Sequence, residues 1–196
     1  LIFFYIEHIF KQRKELKYMK LKKWQVIVII ICLILGTLLH FTYQLSNYNP
    51  IVGIFSAVNE SVWEHLKLLF YPMALMAIIG GFTINKQYKN YWLGQVAGII
   101  TAMLFVVIFF YTYTGIIGKN IAILDIGSFV VGIILGEFVA YKIIQNKTEY
   151  KAEIPSILLI IVIFLSFIIF TIYPPILPLF EDPIYGTFGL EPKRID

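Results

Sequence analysis

Five apolar runs long enough to cross a hydrocarbon core constrain this chain more than any other feature of its sequence. They cover approximately residues 24–43, 66–84, 91–113, 121–143 and 154–173, and a helix crosses a core about 30 Å thick with about 20 residues. In lipid every backbone N–H and C=O must find its partner inside the protein. The expected fold class is therefore all-α, a polytopic membrane bundle of about five transmembrane helices. Composition agrees, because 59% of residues are hydrophobic and only 14% charged, more apolar surface than a soluble core of this size buries. A soluble helical bundle is excluded. The net charge of +4 does not signal nucleic acid, since the basic residues sit in short segments between the runs and not along one face.

Those basic residues set the expected orientation, because short positive segments stay in the cytoplasm. The segment from Lys11 to Lys23, the loop with Lys86 and Lys89, and the region with Lys142, Lys147 and Lys151 together hold twelve of the 16 Lys and Arg. The other faces hold Lys67, Lys119, Lys193 and Arg194. This alternation predicts a cytoplasmic N-terminus and a C-terminal tail outside. Residues 1–18 precede Met19-Lys-Leu-Lys-Lys-Trp24 and are expected to be an upstream extension or an interfacial segment, with 19–196 a single transmembrane domain. A signal peptide is disfavoured, as no Ala-x-Ala-like site follows the first run. His8 lies in the doubtful extension.

Small residues let helices approach where lipid removes the hydrophobic drive to associate. Gly94 and Gly98, and Gly132 and Gly136, make two Gly-x-x-x-Gly pairs, of which at least one is expected at a helix contact. Pro72 is expected to kink or offset the second span. Cys32 is the one cysteine, so no intrachain disulfide forms, and it is expected to be a small buried apolar residue. Glu137 is expected to snorkel or to pair with Lys142. Trp92, Tyr111, Tyr113 and Tyr173 fit an interfacial aromatic belt.

Polar and ionisable residues concentrate in the outer re-entrant or interfacial segment 44–65 and its borders. Projected as a helix from Glu60, the residues Glu60, Ser61, Glu64, His65, Lys67 and Tyr71 share one arc, and Val62, Trp63, Leu66, Leu69 and Phe70 the other. His40 lies one turn after Gly36, on a side of its span that a neighbour can approach. With Asp125 near the outer end of the fourth span and Asp182 in the tail, the derived topology brings His40, Glu60, Glu64, His65, Asp125 and Asp182 to one side of the membrane. Ionisable groups there are costly and call for a partner or a task. His40 and His65 are the candidate metal ligands, a divalent ion such as zinc the candidate cofactor, and Glu60, Glu64 and Asp125 the candidate catalytic carboxylates. Tyr43, Asn59, Ser61, Lys67 and Asp182 complete the polar set. The structural alternatives are definite: Ser61-Val-Trp-Glu64 fits a capping box, and Glu64 with Lys67 an i,i+3 ion pair. The tail, residues 174–196, is too proline-rich for a helix and too apolar for a solvated coil, and is expected to fold back as a lid that could touch His40 or His65.

The run Gly36-Thr-Leu-Leu-His40-Phe-Thr-Tyr43, followed by Asn49-Pro-Ile-Val-Gly-Ile-Phe-Ser-Ala-Val-Asn-Glu-Ser-Val-Trp-Glu-His-Leu-Lys67, resembles an uncharacterised family of small bacterial multi-spanning membrane proteins. Tyr111 to Lys119 and Pro174 to Pro183 are similar to further segments of that family, so the likeness extends over nearly everything from Met19 onward. It implies a membrane bundle and no activity. In that family a histidine often follows the paired prolines, where this chain has Ile176. Ser61-Val-Trp-Glu-His65 is also similar to the Ser-x-x-x-His element of ceramidase and adiponectin-receptor-like membrane hydrolases, but this chain lacks their late His-x-x-x-His pair and has fewer spans.

Three functions are compatible with these residues. The first is a metal-dependent hydrolase or transferase acting on a lipid or exported substrate. The second is a structural or accessory membrane protein without catalysis, and the third a small-solute or ion binding or transport subunit. The lipid bilayer is the expected partner, and a homo-oligomer or larger membrane complex is compatible with all three.

Overall fold

The computed structural model describes residues 2–84 and 87–190, with side chains from Lys20 onward. Among these residues the chain is helical: α1 (Ile2–Leu45), α2 (Pro50–Gly53), α3 (Val62–Thr83), α4 (Tyr91–Ile117), α5 (Ala122–Ile144) and α6 (Glu153–Ile172). Five helices are long and apolar enough to cross a membrane, namely α1 from Lys20 to Leu45 and α3 to α6. The described β pairing is one antiparallel bridge in the tail, Glu181 with Phe188. Lys86, Lys193, Arg194 and the side chains of the basic residues before Lys20, which entered the orientation argument, lie outside the described residues, as does the side chain of His8.

Local chemistry accounts for the element boundaries. Residues 2–19 belong to the same continuous helix, α1, as the first span. Asn49 starts α2 by accepting the Ile51 N–H at 2.9 Å, with Pro50 at the first helical position where a missing N–H costs nothing. α3 begins at Val62, four residues before the apolar run, because extended Ser61 caps it and its Oγ accepts the Glu64 N–H at 3.3 Å. The reciprocal half of the capping box is absent. Ser61 N instead donates to Asn59 Oδ1 at 2.9 Å, which leaves the Glu64 carboxylate for another partner. α4 stops at Gly118, whose φ of 80° is the left-handed cap that glycine adopts without strain.

α3 is the most buried of the five spans and packs against α1, α4 and α6, while α5 packs against α4 and α1. Its face fills the main core, with Leu69, Phe70 and Met73 meeting Ile99, Ile133 and Phe167. Both glycine pairs lie on one contact, α4 against α5. A Cβ on Gly98 would stand 2.6 Å from the Gly136 carbonyl oxygen, and one on Gly132 would stand 3.2 Å from that of Ala102. Backbones this close leave no room for a side chain. Gly98→Leu is expected to lower stability in detergent by about 1–3 kcal/mol through overpacking. Gly115→Leu on the same helix, where a Cβ meets nothing within 4 Å, should leave the unfolding temperature in place.

Pro72 lies inside α3, and the helix continues through it. A proline has no N–H for the carbonyl four residues earlier, that of Leu68. α1 approaches that carbonyl at Gly36, where a Cβ would come within 2.6 Å of Leu68 O and 2.5 Å of the Phe129 ring. The close crossing sets the site geometry. His40 is one turn beyond Gly36 on α1, and His65 one turn before Leu68 on α3, so the approach brings the two imidazoles together.

At the opposite end of the bundle Glu137 is 1% exposed, which corrects the expectation that it snorkels or pairs with Lys142. The Lys142 ammonium sits 5.2 Å from the centre of the Phe138 ring instead. Gln25 donates to the Glu137 backbone carbonyl at 3.2 Å, and neither carboxyl oxygen has a hydrogen-bond partner. A buried polar group without a partner is destabilising. Glu137→Met is therefore expected to leave detergent stability unchanged or raise it by about 1 kcal/mol, measured by thermal unfolding.

Candidate metal centre

Three side chains from two helices and one turn converge where α1 ends and α3 begins. His40 Nε2 and His65 Nε2 are 3.4 Å apart, His65 Nε2 and Glu60 Oε2 3.4 Å, and His40 Nε2 and Glu60 Oε2 3.9 Å. One ligand atom from each lies within 4.8 Å of the other two. Zinc bonds of about 2.0–2.1 Å in a tetrahedron put neighbouring ligand atoms about 3.3–3.4 Å apart. Two edges of this triangle match, and the third needs to close by about 0.5 Å. The tautomer of His65 is set by its other nitrogen. Nδ1 donates to the Ser61 carbonyl at 2.9 Å, so in the neutral ring Nε2 carries the lone pair, the arrangement in which a second partner orients a metal-binding imidazole.

The three side chains are about one third exposed, at 34%, 33% and 34% for His40, His65 and Glu60. They line a cavity of about 440 Å³ between α1, α3, α4 and α5. Asp125 lines the same cavity and is held by a hydrogen bond from the Tyr113 hydroxyl, which in turn accepts from Ile121 N at 3.2 Å. Tyr113, assigned by its sequence to the aromatic belt, is 7% exposed and positions this carboxylate. Its position on the same helix end as the belt residues carried no signal of that role.

The remaining residues of the polar arc turn elsewhere. Glu64 and Lys67 are 1% and 0% exposed and form an ion pair of 2.5 Å. Lys67 Nζ also donates to the Gly53 carbonyl at 2.7 Å and to Thr171 Oγ1 at 3.0 Å. Glu64 accepts from Val58 N at 2.9 Å and from Thr171 Oγ1 at 3.1 Å. Tyr71 adds a bond to the Ile54 carbonyl at 2.9 Å. This network bolts the segment between α1 and α3 onto α3 and α6, and the geometry keeps Glu64 out of the cavity. Tyr43 is buried against Gly53, and its N–H donates to Ser56 Oγ at 3.0 Å. Ser56 also accepts from Thr42 at 3.0 Å and donates to the Leu39 carbonyl. The sequence reading did not single out Thr171, because a threonine carries no sign of the distant partners it will meet.

The tail folds back over this end. Trp63 N donates to the Leu179 carbonyl at 2.9 Å, Asn59 Nδ2 to that of Gly189 at 3.1 Å, and the Phe180 ring packs 4.9 Å from that of Trp63. Asp182 is fully buried and accepts the N–H groups of Glu60 at 3.2 Å, Ile184 at 2.8 Å and Tyr185 at 3.2 Å. It therefore fixes the backbone of Glu60. Among the described residues of the tail, Ile184 lines the cavity. Asp182→Ala strands three N–H groups and is expected to cost about 2–3 kcal/mol. Proteolysis within residues 177–190 should rise in step.

Fold and cavity together define a helical, membrane-span-forming bundle with a histidine–carboxylate centre at one end. The chain belongs to a family of unknown function, DUF6512, whose model matches residues 13–190. No curated protein and no solved structure matches it.

Proposed function

We propose that His40, His65 and Glu60 hold a divalent metal ion, zinc by donor type, and that the protein is a membrane-embedded hydrolase or transferase. The observation that carries this reading is the triangle of ligand atoms, two of whose edges equal those of a zinc tetrahedron. Two histidines and one glutamate leave a fourth position for water, the pattern of catalytic zinc sites, and the metal lowers the pKa of that water toward neutrality. Asp125, on the same cavity wall, is the base that would accept a proton from water activated by such an ion and return it to the leaving group of an ester, amide or phosphoryl substrate as that bond breaks, with a substrate hydroxyl in place of water in a transfer reaction. The excess of basic residues in alternate loops supports placing this end outside the plasma membrane.

The experiment is substitution with Co(II). One cobalt per chain with the intense visible bands of a four-coordinate site, shifted by an added small anion that displaces water, is expected. Absence of stoichiometric metal in folded protein would sink the reading. The structural alternative has its own observation: without metal, His40 and His65 lie within hydrogen-bonding distance. It requires that His40→Ala change stability and nothing else.

A further inference from the structure

The cavity at the His40–Glu60–His65 centre gathers its ionisable side chains where α1 ends and α3 begins, and is lined by mainly apolar groups, with Thr37 and Ser128 among them, along the helices. His40, Glu60, His65, Asp125 and Asn120 occupy that end. Gly36, Leu69 and Val106 line its deeper part. Gly36 and Leu69 each stand four residues from their histidine, about 6 Å along the helix. Leu69 and Val106 are buried in the fold yet face this space. Its sides are the neighbouring edges of α1 and α5, where Thr37, Phe41, Ala122 and Ile126 are exposed. Phe41 and Ile126 keep 52% and 63% of their surface open, on helices long and apolar enough to cross a membrane. In a bilayer those edges face acyl chains.

We infer that the substrate is an amphiphile, with an anionic or ester head at the metal and an apolar chain lying along α1 and α5 toward Leu69 and Val106. The inference rests on the metal reading above. A small water-soluble substrate would leave the deep apolar wall without a partner, whereas a chain lies against that wall and the lipid-facing edges and stays out of water throughout. Entry is lateral, from the membrane, between Phe41 and Ile126. The tail covers the adjoining turn and lines the cavity through Ile184, which limits access from the aqueous side.

The test uses Co(II)-loaded wild-type protein in lipid nanodiscs, with dodecyl phosphate and methyl phosphate as probes and the visible cobalt bands as readout. Dodecyl phosphate should shift the bands at a concentration at least about a hundredfold below methyl phosphate, a ratio that burying about four methylene groups supplies. Partition of the longer probe into the nanodisc raises its local concentration in every variant. Thr37→Trp and Ile126→Trp, exposed positions on the two sides of the cavity, separate that effect from binding. They should each reduce the chain-length advantage at least about tenfold while cobalt content stays at the wild-type level. Equal responses to both probes would overturn the inference and favour a water-soluble substrate. An advantage that survives in both tryptophan variants would overturn it as partition alone. Folded protein that takes up no cobalt overturns the metal reading and this inference together; cobalt uptake without a chain-length effect overturns only this one.

Discussion

Lys67→Met will unfold in detergent at a markedly lower temperature than wild type, with a loss of about 3–5 kcal/mol. The expectation follows from complete burial of both members of the Lys67–Glu64 pair. Removing the ammonium leaves a carboxylate inside the bundle with only Val58 N and Thr171 Oγ1 as partners, and an uncompensated buried charge is far more costly than the loss of an exposed one. Glu64→Gln in the Lys67→Met background removes the stranded charge. The double variant should therefore recover more than half of the loss, the outcome that distinguishes an unpaired charge from lost packing. A double variant no more stable than the single would refute the account. The pair also anchors residues 53 and 58, on the segment that carries Glu60, so Lys67→Met should weaken metal binding as well.

Zinc affinity will fall by more than about 100-fold in His40→Ala and in His65→Ala. Loss of an orienting outer group alone lowers metal affinity about 10–100-fold, and loss of a ligand exceeds that range. Asp125→Asn tests a different property. It keeps the shape of the side chain and the Tyr113 contact, and the Asp125 carboxylate is assigned to proton transfer and not to the metal. Affinity should change by less than about tenfold, while turnover of an accepted substrate falls about 10²–10⁴-fold, the usual contribution of a positioned base. Competition titration against a chromogenic chelator measures the first quantity, and single-turnover kinetics the second. Retention of wild-type affinity in both histidine variants would remove the proposed centre.

How much of this was legible before folding depends on the range of the interaction. The five spans follow from apolar run length alone, because the requirement for internally satisfied backbone acts on each segment separately. The cap at Ser61 and the i,i+3 pair of Glu64 and Lys67 are equally local. The helix projection could not divide its polar arc, however. Glu60 and His65 turn to His40, twenty or more residues away, whereas Glu64 and Lys67 turn to Gly53 and, more than a hundred residues on, to Thr171. A periodicity describes the face of one helix and carries no information about which neighbour covers each part of it.

What the sequence by itself determined is a bundle of five apolar helices, with the gathering of histidines and carboxylates expected at one end of it, since segment length and one-dimensional order suffice for both. Only the tertiary structure decided that His40, Glu60 and His65 meet within a few ångströms, that Asp182 and Glu64 serve as anchors, and that Asp125 shares the cavity. The physical reason is the crossing of α1 and α3 at Gly36 and Leu68. Two backbones approach that closely only where one of them lacks a side chain, and the glycine on α1 does not by itself name the stretch of α3 it will meet.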